Sequence, residues 1–548
     1  MRISILRVVL AIFVFGLRTS AQQPSPDLIL INGKIFTGNV SQPYAEALAV
    51  RGERIVAVGK SKEVLAIATQ ITKRINLRGH TVIPGINDAH VHLSVEPAEY
   101  DLPLNGIDPT WQEVTDALNA AVSKIPKGEW IDGVFGLAVL DDPYATRMAL
   151  DAIASYHPVV LWDWTGHASL LNTAAMRKLG IRDDQPDPIG GTYWRTSADG
   201  KLTGVALEFA SFRVARRFTG LVEDSAAAAQ LRKYFDRALR LGITSIQDMA
   251  QPIPADRCVT LLAKAAPPLR VRVMWFGLTD EHGRLTAEAR PAGTNLPPLV
   301  KVSGTKWILD GTPIEHSAAM RQPYSDRPST SGELNFPQSK IEDMLRDVLR
   351  RNDQLMVHVV GDRTIETFFN AMDATGGEKV WAKRRVRLEH GDGLMPDLVP
   401  RAKRLGIMVV QNPTHFSLKD LCTERFGPAR LRKLFPVRSL LDAGIPVALG
   451  SDGPLNPYLN MMLATTHPIN PNEALTREQS VIAYTLMSAY AEFAEKDKGS
   501  IEPGKLADIA VLSQDIFAAP ASDLPKTESV LTIVGGKIVY DSGTLPIH

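Results

Sequence analysis

The chain has 548 residues, of which 45% are apolar and 22% are charged, close to the average for soluble globular proteins. This composition excludes a disordered chain, a collagen and a multi-span membrane protein. Lysine and arginine total 61 against 60 aspartates and glutamates, so the chain has no strong basic field with which to bind nucleic acid.

The first predicted element is an export signal at residues 1–21. Two arginines precede an apolar run at 8–17, and small residues at 19 and 21 precede a predicted cleavage site before Gln22. Ten apolar residues are about half of the ~20 that a membrane-spanning helix needs. No later segment approaches 18 uninterrupted apolar residues, so no stable membrane span is expected. We therefore expect an exported protein, periplasmic or secreted.

Short β segments lie at both ends of the mature chain. The run DLILINGKIFTG from Asp27 places apolar stretches around Asn32-Gly33, which predicts a hairpin. AEALAVRGERIVAVGK repeats the pattern around Gly52, and SVLTIVGGKIVYDSG repeats it at 529–543. Because terminal β segments often meet in one small sheet, we predict a composite β-sandwich built from 27–80 and 500–545.

Between the two ends, eight apolar, β-rich runs recur, mostly separated by helical patterns. Such runs suit strands that are buried on both faces of a parallel sheet, and eight βα units predict an α/β fold of the (β/α)8 TIM barrel type over 81–499. The residues from about 94 to 241 are too many for a simple crossover, so they predict a large insertion after the first strand, with helices of its own. The eight runs are 81–93, 242–249, 269–278, 301–311, 354–362, 385–392, 406–413 and 445–453.

Polar residues occupy the carboxyl ends of several predicted strands, where a barrel of this type carries its active site. His90 and His92 are two residues apart on one strand and so face the same side. The full candidate metal-ligand set is His90, His92, Lys306, His358, His390 and Asp452. Each alone has an ordinary explanation, such as a hydrogen-bonded core histidine, a lysine reaching the rim or a turn aspartate. Their coincidence on one barrel face favours a metal site.

The ligand types indicate which ion is expected. The two cysteines, Cys258 and Cys422, are too far apart for a CxxC site, whereas imidazole and carboxylate ligands suit Zn²⁺ or another borderline divalent ion. An ammonium group does not bind a cation, so Lys306 would have to be deprotonated or carboxylated by CO₂. A carbamate has two oxygens and would bridge two metal ions. We therefore expect one Zn²⁺ ion, or two if Lys306 is carboxylated.

The motifs that contain these residues resemble those of the metal-dependent amidohydrolase superfamily, in the branch called amidohydrolase family 3 that includes N-substituted formamide deformylases. PGINDAHVHL (84–93) resembles the signature with two metal histidines, and GTKWILDGT (304–312) resembles the element that holds a carboxylated lysine. HVVGDRTI (358–365), RLEHGDGL (387–394) and ALGSDGP (448–454) resemble the elements with the other two histidines and the metal-bound aspartate. The resemblance implies that Asp452 is also the catalytic proton-transfer residue.

Two further segments extend the resemblance over most of the mature chain. KGSIEPGKLADIAVLSQD (498–515) resembles the element that leads into the family's sandwich, and WTGHASLLNTAAM (164–176) resembles a segment of this branch. We expect His167, Trp164 and, with less weight, His415 to contact substrate. The chain departs from the family at Thr364, where alanine is usual, and in the loop carrying Glu315 and His316.

The implied function is hydrolysis of a non-peptide amide, N-acyl or cyclic amide bond by a metal-activated hydroxide, with Asp452 as base and then acid. The expected partner is a small amide-type substrate, and a homo-oligomer stays open. Lactone or phosphoester hydrolysis would use the same binuclear site, and a secreted, non-catalytic metal-binding protein is the alternative from another class. A deaminase of the same superfamily is disfavoured because such enzymes usually lack the strand-4 lysine.

Overall fold

The structure, a computed structural model, describes residues 25–97, 100–279 and 296–547. The predicted export signal at 1–21 lies outside the described residues and stays a prediction. Within the described ranges, no helix combines the length and the apolar character that crossing a bilayer requires.

The amino-terminal strands divide between two sheets. They are β1 (Leu28–Ile31), β2 (Lys34–Phe36), β3 (Tyr44–Ala45), β4 (Ala47–Arg51), β5 (Arg54–Gly59), β6 (Lys73–Asn76) and β7 (Thr81–Pro84), with helix α1 (Ser61–Ala66) after β5. The predicted hairpin at Asn32-Gly33 is wrong, because β1 pairs with β4 and β6 whereas β2 pairs with β3 and β7. Asn32, at φ +57°, instead turns the chain from one sheet to the other. The hairpin around Gly52 is confirmed as β4 and β5.

The predicted first barrel strand, 81–93, is divided at Gly85. Its first part is β7 in the sandwich, and its second part is β8 (Ile86–Val91), which opens the barrel. Glycine is required here because a Cβ on residue 85 would lie 2.2 Å from Thr244 Oγ1. The two layers therefore share one nearly continuous stretch of backbone.

The insertion forms a layer with a sheet of its own, in addition to the expected helices. Its strands are β9 (Tyr100–Asp101), β10 (Ile131–Phe135), β11 (Val159–Asp163), β12 (Ala168–Leu171), β13 (Gly191–Arg195) and β14 (Leu202–Glu208). Its helices are α2 (Trp111–Val122), α3 (Leu137–Leu140), α4 (Arg147–Ala154), α5 (Thr173–Lys178) and α6 (Phe209–Thr219). Helix α7 (Asp224–Arg240) then leads back to the barrel.

The other seven barrel strands confirm the predicted runs. They are β15 (Ile243–Asp248), β16 (Arg270–Phe276), β17 (Val300–Ile308), β18 (Leu355–Val359), β19 (Arg387–His390), β20 (Met408–Gln411) and β21 (Val447–Leu449). With β8 they form one parallel sheet in the order β8-β15-β16-β17-β18-β19-β20-β21, a nearly closed barrel. The fold class, α/β with a TIM barrel, is therefore confirmed.

Helices alternate with these strands and bury the outer face of the sheet. They are α8 (Ala255–Ala265), α9 (Gln338–Arg351), α10 (Asp362–Ala374), α11 (Gly377–Trp381), α12 (Val399–Arg404), α13 (Lys419–Leu431), α14 (Arg438–Asp442), α15 (Pro457–Thr466), α16 (Arg477–Tyr484) and α17 (Leu486–Tyr490). Short 3₁₀ turns occur at Pro413–Ser417, Pro471–Glu473 and Ala521–Lys526.

The carboxyl-terminal strands complete the sandwich. They are β22 (Ile509–Leu512), β23 (Ser529–Val534) and β24 (Lys537–Asp541), and β22 pairs antiparallel with β7 to give the order β24-β23-β22-β7-β2-β3. The hairpin at Gly535-Gly536 is confirmed as β23 and β24. The sandwich thus contains strands from both ends of the chain and faces a second sheet, β5-β4-β1-β6, across its own apolar core.

Candidate metal centre and cavity

A cavity of about 330 Å³ opens where the carboxyl ends of the barrel strands meet the insertion. Its size suits a small molecule rather than a folded polypeptide. All six predicted metal ligands line the cavity: His90, His92, Lys306, His358, His390 and Asp452. Two of the predicted substrate contacts, His167 and Trp164, line it as well. Phe212 and Tyr234 add aromatic surface.

Three histidine side chains converge on Asp452. His90 Nε2 lies 3.3 Å from His92 Nε2, and Asp452 Oδ1 lies 3.5 Å and 3.4 Å from these two atoms. His390 Nε2 lies 3.6 Å from the other carboxylate oxygen, Oδ2. The two oxygens of Asp452 therefore face different imidazoles, as expected of a carboxylate shared between two ligand groups.

Backbone geometry places these side chains. His390 and Asp452 both adopt left-handed conformations, at φ +67° and +39°, which few residues other than glycine adopt. The Asp452 amide donates to the His90 carbonyl at 3.0 Å, which joins the end of β8 to the loop after β21. Gly450 allows this approach, because a Cβ there would lie 2.5 Å from His90 Cβ. Backbone strain at a site of this kind is often retained for function.

Buried carboxylates fix the orientation of His90. Glu389 Oε2 accepts a hydrogen bond from His90 Nδ1 at 2.7 Å, and Arg387 pairs with Glu389 at 2.7 Å. Asp88 accepts from the His90 and Ser451 amides at 3.3 and 2.8 Å. A carboxylate on Nδ1 is the usual way in which a protein sets the tautomer of a metal-binding imidazole.

Lys306 and His358 reach the same cavity from neighbouring strands. Lys306 is 1% exposed, and burial lowers the pKa of its amine to about 8. The His358 ring centroid lies 4.5 Å from that of His390. The loop after His358 is held by Asp310, which accepts from the Val360 and Gly361 amides.

Thr364, which stands where the family usually has alanine, also serves this loop. Its hydroxyl donates to Asp310 Oδ2 at 2.8 Å and is fully buried. Thr364 therefore makes a hydrogen bond that alanine could not make, and it does not line the cavity.

The donor set fits a divalent ion. Burial lowers the pKa of four imidazoles, which favours the neutral form that metals bind; they are those of His90, His92, His358 and His390. The pKa of His92 falls to about 3. His92 Nδ1 and His390 Nδ1 are buried without a hydrogen-bond partner among the described residues. Potential ligand atoms lie within 4.8 Å of one another in two groups that share Asp452: His90, His92 and Asp452; and His390, His415 and Asp452.

His415 follows β20 and lies close to His390 and Asp452. It lies in the 3₁₀ turn after β20, stacks on His390 with ring centroids 5.0 Å apart, and contacts Asp392 through Nδ1 at 3.0 Å. Its ligand nitrogen lies within 4.8 Å of ligand atoms of His390 and Asp452, and its side chain is 25% exposed, so its contact with substrate stays a prediction. Its place in the second group makes it a candidate metal ligand or orienting residue.

The insertion supplies the roof of the cavity. His167 lies between β11 and β12, with its ring centroid 4.9 Å from that of His358. Its Nδ1 contacts Glu208 Oε1 at 2.9 Å; burial lowers the pKa of His167, but Glu208 outweighs burial and raises it to about 9. Glu208 ends β14 at φ +52° and ψ −126°, so the residue that holds His167 is itself strained.

A pair of acidic residues, Asp163 and Glu315, lies next to the part of the insertion that covers the cavity. Thr165 Oγ1 lies 2.5 Å from Asp163 Oδ2 and 2.8 Å from Glu315 Oε1. Burial raises the pKa of Asp163, and the nearby Glu315 carboxylate raises it further. Thr312 also donates to Glu315.

Sequence reasoning missed Glu208 and the pairing of Asp163 with Glu315. Asp163 directly precedes the WTGH motif, and Glu208 ends a strand before a helix, but neither pattern indicates a partner. Two acidic residues close to the predicted ligands in sequence, Glu389 and Asp88, contact His90. Asp362 instead accepts from the Arg321 amide and has no contact with an imidazole in the described ranges.

Comparison with known proteins gives a consistent result. A family model described as Amidohydrolase family matches residues 73–540. An N-substituted formamide deformylase of Arthrobacter pascens is 28% identical over 545 residues, covering 94% of this chain and 98% of the relative. Protein LONG AFTER FAR-RED 3 of Arabidopsis thaliana is 28% identical over 542 residues, covering 94% and 91%.

The fold also matches a solved structure. An uncharacterized metal-dependent hydrolase from Pyrococcus horikoshii OT3 superposes with a TM-score of 0.69 at 19% sequence identity. The match covers 90% of this chain and 99% of the other. It extends across both the barrel and the sandwich.

Proposed function

The chain belongs to the amidohydrolase family and is a hydrolase, and on that premise we propose that it cleaves a non-peptide carbon–nitrogen bond of a small molecule at a divalent metal centre. The observation that carries the proposal is the convergence of His90, His92 and His390 on the two oxygens of Asp452, in a cavity of about 330 Å³. The similarity to a formamide deformylase over nearly the full length favours an amide substrate.

The residues that would hold the metal are His90, His92, His358, His390, Asp452 and a carboxylated Lys306. Their imidazole and carboxylate donors suit Zn²⁺. When bound, such an ion lowers the pKa of a water molecule and polarises a carbonyl oxygen.

Asp452 is the proposed proton carrier. Its side chain is 20% exposed and lines the cavity, so it faces the space that a substrate would enter. We assign its carboxylate to accept a proton from the attacking water and to return that proton to the leaving nitrogen. His167, fixed by Glu208 through Nδ1, presents its other nitrogen to the substrate carbonyl, and Trp164 covers the apolar part of the substrate.

Lys306, once carboxylated, would supply an additional anionic ligand. Addition of its neutral ε-amine to CO₂ forms an N–C bond and releases one proton, which leaves an anionic carbamate. The side chain lies in the cavity among the histidines, where an isolated ammonium would be unfavourable. Such a carbamate would supply negative charge to a divalent metal centre.

Asp452→Asn tests the proton-carrier assignment. We expect kcat to fall by about 10²–10⁴-fold and metal content to fall much less, because the histidine ligands persist. His90→Ala should lose metal and activity together, whereas His80→Ala, outside the cavity, should change neither. Metal per chain and turnover are measured on N-formyl, N-acyl and cyclic amides, with lactones and phosphotriesters in parallel.

The outcomes of this experiment separate the alternatives. Near-normal turnover in a metal-replete Asp452→Asn enzyme would place the proton carrier elsewhere. Turnover of lactones or phosphotriesters but not amides would assign the other hydrolytic chemistry, and tight metal binding without any turnover would support a binding protein.

Lys306→Ala tests the carbamate. We expect loss of metal and activity, with partial recovery on addition of short carboxylates such as acetate or propionate, since these replace the carbamate oxygens. The same carboxylates added to the wild type serve as the control. A crystal structure of the metal-loaded protein should show density beyond Nζ, and an unmodified lysine directed away from the metals would refute the binuclear version.

A further inference from the structure

A second cavity lies at the opposite, amino-terminal mouth of the barrel, where β16 and β17 begin. Its volume is about 360 Å³. Five cationic side chains line it against two anionic ones: Arg54, Arg270, Arg272, Lys301 and Lys498 against Glu492 and Asp497. The proposed function makes no use of this cavity.

Three of these cations have a carboxylate partner. Arg270 makes two hydrogen bonds to Asp508, at 2.8 and 3.1 Å. The paired Lys498 and Glu492 lie 2.7 Å apart, with both side chains largely buried. Arg54 contacts Asp497 at 3.3 Å near the surface. These pairs leave two cations of the lining unmatched.

Arg272 and Lys301 are the two unmatched cations. Arg272 is 3% exposed and donates to neutral acceptors, including Gln354 Oε1 at 2.7 Å and Ser303 Oγ at 3.0 Å. Neither cation has a carboxylate within 4 Å in the part of the chain that the structure describes. The two residues are direct neighbours in the register of β16 and β17, so their charges reinforce each other.

The electrostatics of Lys301 agree with this geometry. Partial burial and the charge of Arg272 lower the pKa of its amine; Glu492 opposes this shift and Lys498 adds to it, and the net direction is downward. The net positive potential at the Lys301 amine would favour binding of an anion in this cavity.

The wall behind these cations is fixed by a buried polar network. Lys498 Nζ also lies 2.7 Å from Ser245 Oγ, and Glu492 accepts from Asn87 Nδ2 at 2.8 Å. Gln247 accepts from Arg387 at 2.6 Å. Side chains held in this way need little reorganisation to receive a ligand, which favours binding.

We propose that this cavity binds a small tetrahedral oxyanion, with the ammonium groups of Lys301 and Lys498 as donors and the buried charge of Arg272 as the source of the field. Charge-assisted hydrogen bonds from two ammonium groups match phosphate and sulfate oxygens. The ligand is either a free inorganic oxyanion or the phosphate group of a small organic phosphate, since the two present the same oxygens.

Titration calorimetry on the metal-loaded full chain tests the site. Inorganic phosphate, sulfate and glycerol phosphate are titrated at constant ionic strength, with chloride as the control anion. We expect saturable 1:1 binding of at least one oxyanion and none of chloride. Lys301→Ala should weaken binding by about tenfold and Lys301→Glu should abolish it. Lys379→Ala, which removes an exposed charge on α11, should bind as the wild type does.

The relative affinities of the probes identify the kind of oxyanion, and the relative affinities of the variants test the location of the site. Tighter binding of glycerol phosphate than of inorganic phosphate assigns the organic source, and the reverse order assigns the free anion. Absence of saturable binding, or equal affinity in the wild type and both Lys301 variants, overturns the proposal; equal affinity would place the anion elsewhere, including at the histidine cluster. Lys301 is exposed on the strand, so its variants are expected to fold, and their amide hydrolysis without phosphate should match that of the wild type.

Discussion

Single side chains in this molecule act through the groups that orient them. His90 is positioned by Glu389, and Glu389 is in turn held by Arg387; all three are almost fully buried. His167 depends in the same way on Glu208, a residue at positive φ. The chemistry of the cavity therefore relies on residues that a substrate never touches.

Glu389→Gln should weaken the metal centre without removing a ligand. Loss of the carboxylate weakens the hydrogen bond that fixes the His90 tautomer, and we expect metal affinity to fall by about 10–100-fold. The variant also leaves Arg387 buried without its counter-charge, which should lower stability by about 3–5 kcal/mol. Chelator competition measures the first effect and thermal unfolding the second.

Glu366→Gln is the matched control for this substitution. Glu366 is a half-exposed glutamate paired with Arg321 on the outside of the barrel, so both quantities should stay close to wild type. Unchanged metal affinity in Glu389→Gln would show that His90 is oriented by the backbone alone.

The metal-ligand candidates were predictable residue by residue because the histidines and Asp452 stand near the ends of apolar runs and Lys306 lies within one. His90, His92, Lys306, His358, His390 and Asp452 all line one cavity. Their partners were not predictable, because Glu208 and Asp163 approach the site only through the tertiary fold of the insertion. A carboxylate at the end of a strand looks the same in sequence whether it contacts a histidine or water.

At the scale of elements, apolar runs predicted the barrel strands well and the strand partners poorly. All eight runs became barrel strands, since burial on both faces leaves a strong sequence signal. Asn32-Gly33 was predicted as a hairpin but turns between sheets, because local turn chemistry does not specify which strand pairs next. The sheet of the insertion went unpredicted, because β9 and β12 are short strands within a long mixed segment.

The insertion sheet contains an acidic group that makes its stability depend on pH. Asp132 on β10 is 6% exposed, and burial, with Glu96 and Asp101 nearby, raises its pKa to about 7. The folded state therefore holds this proton more tightly than the unfolded chain, whose pKa is about 4. The stability that the protonated form provides is present below pH ~4, falls as the pH rises to ~7, and is lost above that value.

Asp132→Asn should remove this dependence. The variant should equal the wild type in stability near pH 4 and exceed it at pH 8 by on the order of 1–4 kcal/mol, since each pKa unit corresponds to about 1.4 kcal/mol. Denaturant unfolding at a series of pH values measures the difference. Asp116→Asn, at an exposed position on α2, should show no such divergence, and a constant gap between Asp132→Asn and wild type at all pH values would contradict the assignment.

Across the whole molecule, the sandwich and the barrel are joined by more than a linker. β7 and β8 are separated only by Gly85, Arg270 at the start of β16 pairs with Asp508 before β22, and Thr532 on β23 donates to the Leu239 carbonyl on α7 at 2.7 Å. These contacts join the sandwich to the barrel, so we expect the sandwich and the barrel to unfold in one cooperative transition.

Gly85→Ala tests this expectation at the junction itself. The new Cβ would lie 2.2–2.8 Å from three side-chain atoms of Thr244, so the variant should lose about 1–3 kcal/mol and still melt in a single calorimetric transition. Thr244→Ala removes two of the three atoms, and the alanine at 85 should therefore be less destabilising in that background. Two separate transitions in Gly85→Ala would mean that the layers are independent, and an additive double variant would place the strain elsewhere.

The composite sandwich also affects how the chain is made. On a ribosome, β7 emerges about 425 residues before β22, the strand against which it pairs. At about 5–20 residues per second this interval is roughly 20–90 s, during which the edge of β7 that later pairs with β22 has no partner strand, although β2 can pair with the opposite edge. Such an edge is open to pairing with other nascent chains, so folding of this protein in a cell should depend on holdase chaperones until its last strands are synthesised.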